Sequence, residues 1–425
     1  MPELRGRRRH NQAWGATLAL IGAICLVGAA LLIVPGLIAR PSDRGPNGQD
    51  VTQVAAVSFP PIGVKSVEWS IHTIDPTLGD AVATDIVVVG DRLVAIGSRN
   101  GRPLAWWSDD GGASWTLTTS MAAPSSPPTE GALLTPRSAA TWGPRVVVAG
   151  IWTDPNTAEA LGAVVWVSSD GRNWKASDLT DALPGVTLDE IVGTSDGFYA
   201  TGHASRAVPS GWWSSPDGLW WVPLEIGGLP NLATLPPAIA WKGDLLVVAG
   251  GYGTGPDPHP GVWAADKGLE FKLVFDDEQK MGLITGVATA RYGFVAAGQT
   301  VDDSEDQGQS RLAAWISADG RAWQDLGLET PSGTTSMGVA ANISGAVIVG
   351  WSLDAQSQDL WFLPGGSGTP SVVRFPFFVL DIVGTPDTFV ALGGCSAEDG
   401  CSGPMVAIGR ASESQEALDP TLPPD

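Results

Sequence analysis

Among the 425 residues, three are Cys, three are Tyr and four are His. Charged residues make up only 16%, where soluble domains usually contain about a quarter. Lys and Arg number 24 against 45 Asp and Glu, which gives a formal net charge of -21. Because nucleic-acid binding depends on clustered Lys and Arg, this charge argues against nucleic acid as the main partner. Beyond residue 60 the sequence shows no long helical period, which argues against a helical domain.

The few histidines form no recognisable enzyme motif. They stand apart in the sequence, without the paired spacing of a zinc site, at His10, His72, His203 and His259. The sequence also contains no Gly-x-Ser-x-Gly elbow and no phosphate-binding glycine loop between a strand and a helix. Common hydrolase and nucleotide-binding classes are therefore not indicated.

The charge is concentrated unevenly along the chain. Residues 1–44 contain six Arg against Glu3 and Asp43, whereas the remaining 381 residues carry a net charge of -25. The basic segment 1–12 precedes an apolar segment at 13–39, which is long enough to cross about 30 Å of hydrocarbon. It is longer than the apolar region of a cleaved signal peptide, typically about 7–15 residues. The flanking arginines predict a transmembrane signal-anchor helix with a cytoplasmic N-terminus. An unusually long cleaved signal is the alternative.

The remaining chain divides into three parts. Residues 40–64 are rich in Pro, Gly and polar residues and are predicted to be a linker. Residues 411–425 are predicted to be a disordered acidic tail. Residues 65–410, between them, form the folded domain, which the orientation of the anchor places outside the cytoplasm in a single-pass cell-membrane protein.

A short apolar segment that ends in Gly recurs seven times in this domain. The repeats end at Gly97, Gly150, Gly202, Gly250, Gly298, Gly350 and Gly393, with spacings of 43 to 53 residues. Repeats of this length are typical of β-propeller blades. The last repeat has three predicted strands, and residues 67–73 (VEWSIHT) match the missing fourth strand. The predicted fold class is therefore all-β, a seven-bladed β-propeller closed by an N-terminal strand and preceded by one transmembrane helix.

The turn between the third and fourth predicted strands carries the most specific motif. It reads SDDGGASW in the first blade and S-x-D-G-x-x-W in three others. The motif residues are Ser108, Asp110, Gly112, Trp115, Ser168, Asp170, Gly171, Trp174, Ser215, Asp217, Gly218, Trp221, Ser317, Asp319, Gly320 and Trp323. This pattern resembles the Asp-box (BNR) repeat of the propellers of sialidases, sortilin-like receptors, xyloglucan hydrolases and photosystem assembly factors. The resemblance covers about residues 67–410. It implies a structural role for these Asp and Trp residues, on the face away from the ligand, rather than a role as acids or calcium ligands.

Sialidase-like chemistry would need further residues that the sequence does not clearly supply. The resemblance implies an arginine cluster, a Tyr/Glu pair and an Arg-Ile-Pro element before the first box. No such element is present, and Arg374-Phe375-Pro376 comes late in the chain. Of the three tyrosines, only Tyr252 is predicted to lie in a loop of the ligand face. The expectation is a non-catalytic binding or scaffold module for an envelope or extracellular protein or a ligand. A glycan-directed hydrolase or lectin is the alternative.

The loops that vary most between repeats are the candidate ligand site. They contain Arg99, Arg102, Trp152, Asp154, His203, Arg206, Tyr252 and His259. They also contain an acidic run whose carboxylates at Asp302, Asp303 and Asp306 either hold a cation or are simply solvated.

A second set of acids is predicted near the central axis. The residue twelve positions before each repeated Gly falls at the start of the innermost strand, and three of the seven are Asp85, Glu190 and Asp381. This ring would take calcium or a basic ligand; solvated carboxylates are the alternative. No other cofactor is predicted.

Two cysteines bracket a short loop in the last repeat. Cys395 and Cys401 flank SAEDG on the extracytoplasmic side, which favours a disulfide over a redox pair.

Overall fold

The computed structural model describes residues 64–118, 121–124, 127–203, 211–230, 237–253, 258–266, 269–291, 293–301, 309–365, 370–395 and 403–413. These residues form 28 strands in seven antiparallel four-stranded sheets. The seven-bladed β-propeller predicted from the sequence is therefore confirmed.

Six blades are formed by consecutive strands, ordered from the central axis outwards. Blade one contains β2 (Val82–Val89), β3 (Arg92–Arg99), β4 (Arg102–Ser108) and β5 (Thr116–Leu117). Blade two contains β6 (Leu133–Trp142), β7 (Arg145–Thr153), β8 (Ala160–Ser168) and β9 (Trp174–Asp178). Blade three contains β10 (Glu190–Thr194), β11 (Gly197–Gly202), β12 (Gly211–Ser215) and β13 (Val222–Leu224).

Blade four contains β14 (Ala238–Lys242), β15 (Leu245–Tyr252), β16 (His259–Ala265) and β17 (Lys272–Asp276). Blade five contains β18 (Met281–Ala290), β19 (Gly293–Val301), β20 (Ser310–Ser317) and β21 (Gln324–Asp325). Blade six contains β22 (Thr334–Ala341), β23 (Gly345–Ser352), β24 (Ser357–Pro364) and β25 (Ser371–Arg374).

Blade seven joins the two ends of the folded domain. Its inner strands are β26 (Phe378–Gly384), β27 (Thr388–Cys395) and β28 (Gly403–Glu413), and its outer strand is β1 (Val64–Thr73). β1 pairs antiparallel with β28, from Val64 opposite Glu413 to Thr73 opposite Met405. The prediction that an N-terminal strand completes this blade is confirmed. β28 ends three residues beyond the predicted domain boundary at 410, because Ala411 and its neighbours continue the ladder.

The hydrophobic core is divided among the contacts between blades. Each of seven buried clusters joins two adjacent sheets, and the cluster between blades seven and one contains Ile86, Leu93 and Val406. The middle strands are buried on both faces, as in β7, where seven successive residues after Arg145 are buried. A strand buried on both faces has a continuous apolar sequence rather than an alternating one. This explains the apolar segments that precede each repeated Gly.

The third-strand tryptophans lie in these clusters. They are buried in six blades, at Trp106, Trp166, Trp213, Trp263, Trp315 and Trp361. The interpretation of the repeated tryptophans as core residues, rather than as a carbohydrate-binding surface, agrees with this burial.

The predicted anchor at 13–39 lies outside the described residues. Within the described ranges, no helix has the length and apolar character needed to cross a membrane.

Replacing Gly409 of β28 with Val should weaken the closure of the ring. A Cβ atom at this position would lie 2.6 Å from Val67 Cγ1 and 2.9 Å from Trp69 Cη2, both on β1. Overpacking of this kind costs about 1–3 kcal/mol. We expect a lower melting temperature and faster proteolysis within β1. Gly338→Ala is the control, since nothing lies within 4 Å of a Cβ there. Equal melting temperatures for both variants would contradict this role of β1.

Candidate functional site

The strand directions define two faces of the propeller. In blades one to six, the first-to-second and third-to-fourth strand turns lie on one face. We call it the box face because it carries the four turns with the Ser-x-Asp motif, for which we use the name Asp-box turns. The second-to-third connections and the connections between blades lie on the other face, which we call the loop face. The candidate ligand residues that the structure describes and the first residues of the innermost strands belong to the loop face.

Each Asp-box turn is held by hydrogen bonds within the turn. In blade three, Gly218 N donates to Ser215 Oγ at 2.8 Å, and Leu219 N donates to Asp217 Oδ1 at 2.8 Å. Trp221 Nε1 closes the turn by donating to Gly218 O at 2.9 Å. The Ser and Asp contacts recur in the other boxes at Ser108, Asp110, Ser168, Asp170, Ser317 and Asp319. The side chains thus bind backbone N–H groups that the turn would otherwise leave unpaired.

These hydrogen bonds favour the ionised carboxylates. Those from Ser114 to Asp110 lower the pKa of this carboxyl to about 2. At Asp217, partial burial raises the pKa, but hydrogen bonds from the Leu219 and Trp220 N–H groups outweigh it, so the pKa is lowered. The stabilisation from such an Asp is present above its unfolded pKa and is lost as the pH falls through the lower folded pKa.

The box glycines pack against the preceding blade. Gly218 has φ of +81°, where a side chain is strained, and a Cβ there would clash with Val147 of blade two. Gly171 has φ of +70°, and a Cβ would lie 2.5 Å from Val94 Cγ2 of blade one. The box therefore shapes both its own turn and the contact between blades.

Replacing Asp217 with Ala should lower the melting temperature, because the Leu219 and Trp220 N–H groups lose their acceptor. Hydrogen bonds to charged groups contribute about 1.5–3 kcal/mol each, and water replaces part of the loss on this exposed turn. Asp91→Ala, at an exposed turn of the same face, is the control. Thermal unfolding near pH 7 measures the difference. A variant as stable as the control would contradict a structural role for the box.

The predicted axial residues connect adjacent blades. Ile86 N donates to Asp381 Oδ2 at 2.9 Å, Ala139 N to Asp85 Oδ2 at 2.7 Å, and Ile191 N to Ser138 Oγ at 3.1 Å. These bonds join blade seven to one, one to two, and two to three. β-bulges immediately precede Asp381, Asp85 and Ser138 in their strands. A bulge changes the direction of a side chain and bends the strand, which directs these side chains to the next blade.

On the other side of the ring, the equivalent positions have no side chain that could accept such a hydrogen bond. Ala238, Gly286 and Gly338 occupy the corresponding positions, and none has a polar side chain. A Cβ at Gly286 would lie 3.3 Å from Val339 N, the equivalent of the N–H groups bound by the acids. One to three residues further along the innermost strands, towards the box face, the strands of blades two to five surround a cavity of about 280 Å³. The acids therefore form one side of the axial channel.

The axial carboxyls bind protons more tightly than isolated ones. Burial, the charge of Asp381 and a hydrogen bond with that carboxyl raise the pKa of Asp85 well above its usual range. Burial raises the pKa of Glu190 to about 8, with further contributions from the charges of Asp381 and Asp189. Two adjacent carboxyls in a desolvated site cannot both ionise cheaply. Burial and the neighbouring Asp381 carboxyl therefore both favour the protonated form of Asp85, which hydrogen-bonds Asp381.

The predicted calcium ring of Asp85, Glu190 and Asp381 stays a prediction. Within the described residues, no group of three or more His, Cys, Asp or Glu side chains is arranged to hold a metal ion. One oxygen of Asp85 and one oxygen of Asp381 each accept a backbone N–H donor from the next blade. The acidic run at Asp302, Asp303 and Asp306 lies outside the described residues.

Replacing Glu190 with Gln should stabilise the protein at alkaline but not at acidic pH. The folded state holds the Glu190 proton up to about pH 8, whereas the unfolded state releases it near 4.5. The wild-type protein therefore loses stability as the pH rises between these values. Gln removes this loss, for which the shift sets an upper limit of about 4–5 kcal/mol at pH 8. Melting temperatures from pH 4 to 9 test the prediction, with exposed Glu159→Gln as control. A difference independent of pH would contradict it.

The candidate residues of blades one and two have diverse surroundings. Arg99 ends β3 and forms an ion pair with Asp80, with Nε 2.5 Å from Oδ1. Arg102 begins β4 and is exposed. Asp154 caps its own turn by accepting a hydrogen bond from Asn156 N at 2.7 Å. Trp152 lies within β7 and is only 3% exposed, so it belongs to the core between blades one and two. Its prediction as a ligand residue was wrong because β7 extends further than the repeat pattern indicated.

His203 belongs to a polar group that the sequence did not reveal. Its Nδ1 lies 2.6 Å from Asp189 Oδ2 and 2.9 Å from Thr187 Oγ1. Arg137 of the neighbouring blade approaches the same carboxylate, with Nη1 4.0 Å from Asp189 Oδ1. Because Asp189 immediately precedes Glu190, this group borders the channel mouth. In the sequence, the one signal for this polar group is that Asp189 immediately precedes the axial residue Glu190.

The blade-four candidates pair across two strands. Tyr252 of β15 lies opposite His259 of β16, and its ring packs edge-on against Trp263 at a centroid distance of 5.6 Å. His259 Nδ1 lies 3.1 Å from Lys280 O.

Arg206 lies outside the described residues, as do Cys401 and the side chain of Cys395, so the predicted disulfide stays a prediction.

A cluster on the box face was also not predicted. Asp109, the additional acid of the first box, forms ion pairs with Arg92 and Arg172. The Arg172 guanidinium lies 3.9 Å from the centre of the Trp107 ring, and that of Arg92 lies 5.3 Å from it. The cluster connects blades one and two, and the charge of Asp109 is thereby neutralised locally.

No family model and no curated protein matches the chain. Solved structures do match its fold. The GH74 enzyme of Niastella koreensis has a TM-score of 0.50 at 12% identity, over 79% of this chain and 55% of that chain. The Trypanosoma rangeli sialidase in complex with sialic acid has a TM-score of 0.43 at 13% identity, over 78% of this chain and 54% of that chain. The chain thus spans about half the length of these proteins. At such identities the similarity shows the propeller fold alone.

Proposed function

We propose that the protein is a membrane-anchored extracytoplasmic propeller whose loop face binds an envelope or extracellular protein with a basic surface, without catalysis. The charge of the loop face carries this proposal. Its described connections and strand ends contain 19 acidic and six basic residues, and 17 acids remain when Asp85 and Glu190, whose pKa values are strongly raised, are left out. The acids are Asp75, Asp80, Asp85, Glu130, Asp154, Glu159, Asp178, Asp181, Asp189, Glu190, Glu225, Asp276, Asp277, Glu278, Asp325, Glu329, Asp354, Asp359 and Asp381. Such a field attracts a basic partner and repels an acidic one.

The engagement of the loop-face arginines supports binding over sialoside hydrolysis. Arg99 pairs with Asp80, and Arg374 pairs with Asp359 at 3.2 Å. Arg311 donates to the backbone oxygen of Thr330 at 2.9 Å. A carboxylate-binding site uses the guanidinium groups as bidentate donors to the substrate. In this chain these groups are engaged by protein oxygens, and they belong to different blades.

The anchor part of the proposal rests on the sequence. The uncharged segment 13–39 has the length of a membrane span, and its arginine-rich flank sets the orientation. A membrane-attached scaffold presents its binding loops at fixed geometry, because rigid blades hold them.

Reversing two exposed charges on the loop face should weaken the binding of a basic partner. Glu329 and Asp354 lie in neighbouring loops, which are joined by the hydrogen bond from Leu353 N to Gly333 O. We expect Glu329→Lys with Asp354→Lys to lower the yield of partner crosslinking in native membranes several-fold, and high salt to have the same effect on the wild-type protein. Asp91→Lys with Asp387→Lys, on the box face, is the matched control.

The outcomes separate the two functional interpretations. If neither the Glu329→Lys with Asp354→Lys variant nor high salt lowered the yield of partner crosslinking, binding through the acidic loop face would be contradicted. Hydrolysis of a fluorogenic sialoside by the purified full chain would instead favour the glycan-directed alternative.

A further inference from the structure

The folded domain begins and ends on the box face. β1 begins at Val64 opposite Glu413, the last residue of β28, and ends at Thr73 on the loop face. The chain that precedes Val64 therefore joins the propeller at the box face. Only 24 residues separate Ala39, the last residue of the proposed anchor, from Val64. A chain of that length without secondary structure has a root-mean-square end-to-end distance of about 25–30 Å. The box face is thus the end held near the bilayer.

The charge of the box face differs from that of the loop face. Its described turns and strand ends contain 11 acidic and nine basic residues, and four of these acids are the hydrogen-bonded box aspartates. The basic residues are Arg92, Arg145, Arg172, Lys175, Lys242, Lys272, Arg291, Arg321 and Arg410. Bilayers that contain anionic lipids repel a strongly acidic surface but tolerate a nearly neutral one.

Of the tryptophans that the structure describes, the two most exposed lie on this face, in adjacent blades. Trp220 of the blade-three box turn is 65% exposed, and Trp142 at the end of β6 is 45% exposed. Val222, beside the box turn, is 42% exposed. Arg145 connects the two turns, since its Nη1 donates to Pro216 O at 3.4 Å. We call these four residues, Trp142, Arg145, Trp220 and Val222, the tryptophan patch.

We propose that the tryptophan patch rests in the headgroup region of the bilayer that holds the chain's own anchor, with the loop face directed away from the membrane. Tryptophan favours this region because its ring is apolar and its N–H is polar. Arg145 adds a cation for lipid phosphates. No structural feature demands a tryptophan at position 220, because its ring projects into solvent, whereas the neighbouring Trp221 is buried. This inference rests on the proposed membrane anchor.

Site-specific photocrosslinking on the full chain tests the proposal. A benzophenone amino acid is placed at Trp220 or at Leu353, a 42% exposed apolar residue of the loop face. Each protein is reconstituted in nanodiscs of phosphatidylcholine with a minority of phosphatidylglycerol and is then irradiated. Mass spectrometry of the labelled peptides measures the lipid adducts. We expect several-fold more lipid adduct at position 220 than at position 353. A benzophenone at Trp142 should behave like the one at Trp220.

Failure of this inference and failure of the proposed function give different results. A chain that does not co-migrate with the nanodiscs lacks the proposed anchor, which would overturn both. A chain that co-migrates but gives equal lipid adducts at positions 220 and 353, or more at 353, would overturn only the orientation. If position 220 gave adducts with a second copy of the protein in place of lipid adducts, the tryptophan patch would be a protein-binding surface. This result would also overturn the proposed orientation.

Discussion

The need to bury both faces of every sheet determines the whole molecule. Each blade has apolar residues on both faces, and a single four-stranded sheet can cover neither of them. The seven buried clusters each join two neighbouring blades, so every cluster depends on the presence of both. The pairing of β1 with β28 completes the seventh sheet, which packs on blades six and one. The ring therefore has no terminal blade with an exposed apolar face, and in six of the seven blades the outer strand has five residues or fewer.

Polar groups are used mainly to fix how the blades meet. The Asp boxes do so from one face, where Gly218 packs against Val147 of the preceding blade. The axial residues do so at the other face, where Asp381, Asp85 and Ser138 accept N–H donors from the following blade. The two devices have opposite electrostatic consequences. Hydrogen bonds from N–H groups lower the pKa of the exposed box carboxyls, whereas burial raises the pKa of the axial carboxyls. The same residue type thus serves one structural purpose with opposite shifts of its pKa.

The sequence predicted the features that every blade repeats better than the features that occur only once in the ring. Blade number, ring closure and the buried tryptophans follow from residues such as Trp106 and Gly97 that recur at a fixed spacing, because equivalent positions experience equivalent packing. Trp152 was wrongly assigned to a loop, since strand length varies between blades and is decided by packing. The group of His203, Asp189 and Arg137 joins residues of two blades, so no local pattern indicates it. The contact between the carboxyls of Asp85 and Asp381 likewise depends on the closure of blade seven onto blade one.

The direction of the strands also separates the chain's two surfaces by charge. Because connections alternate between the faces, acids placed in the longer loops accumulate on one face, while the short turns on the other contain box aspartates balanced by arginines such as Arg172. The antiparallel pairing of β1 with β28 brings both ends of the domain to the less acidic face. The membrane anchor that we propose would join the domain at this face and would leave the acidic loops about one strand length further from the bilayer. The negative field of those loops, which repels anionic lipids, would then be directed away from the membrane, towards the basic partner that we propose.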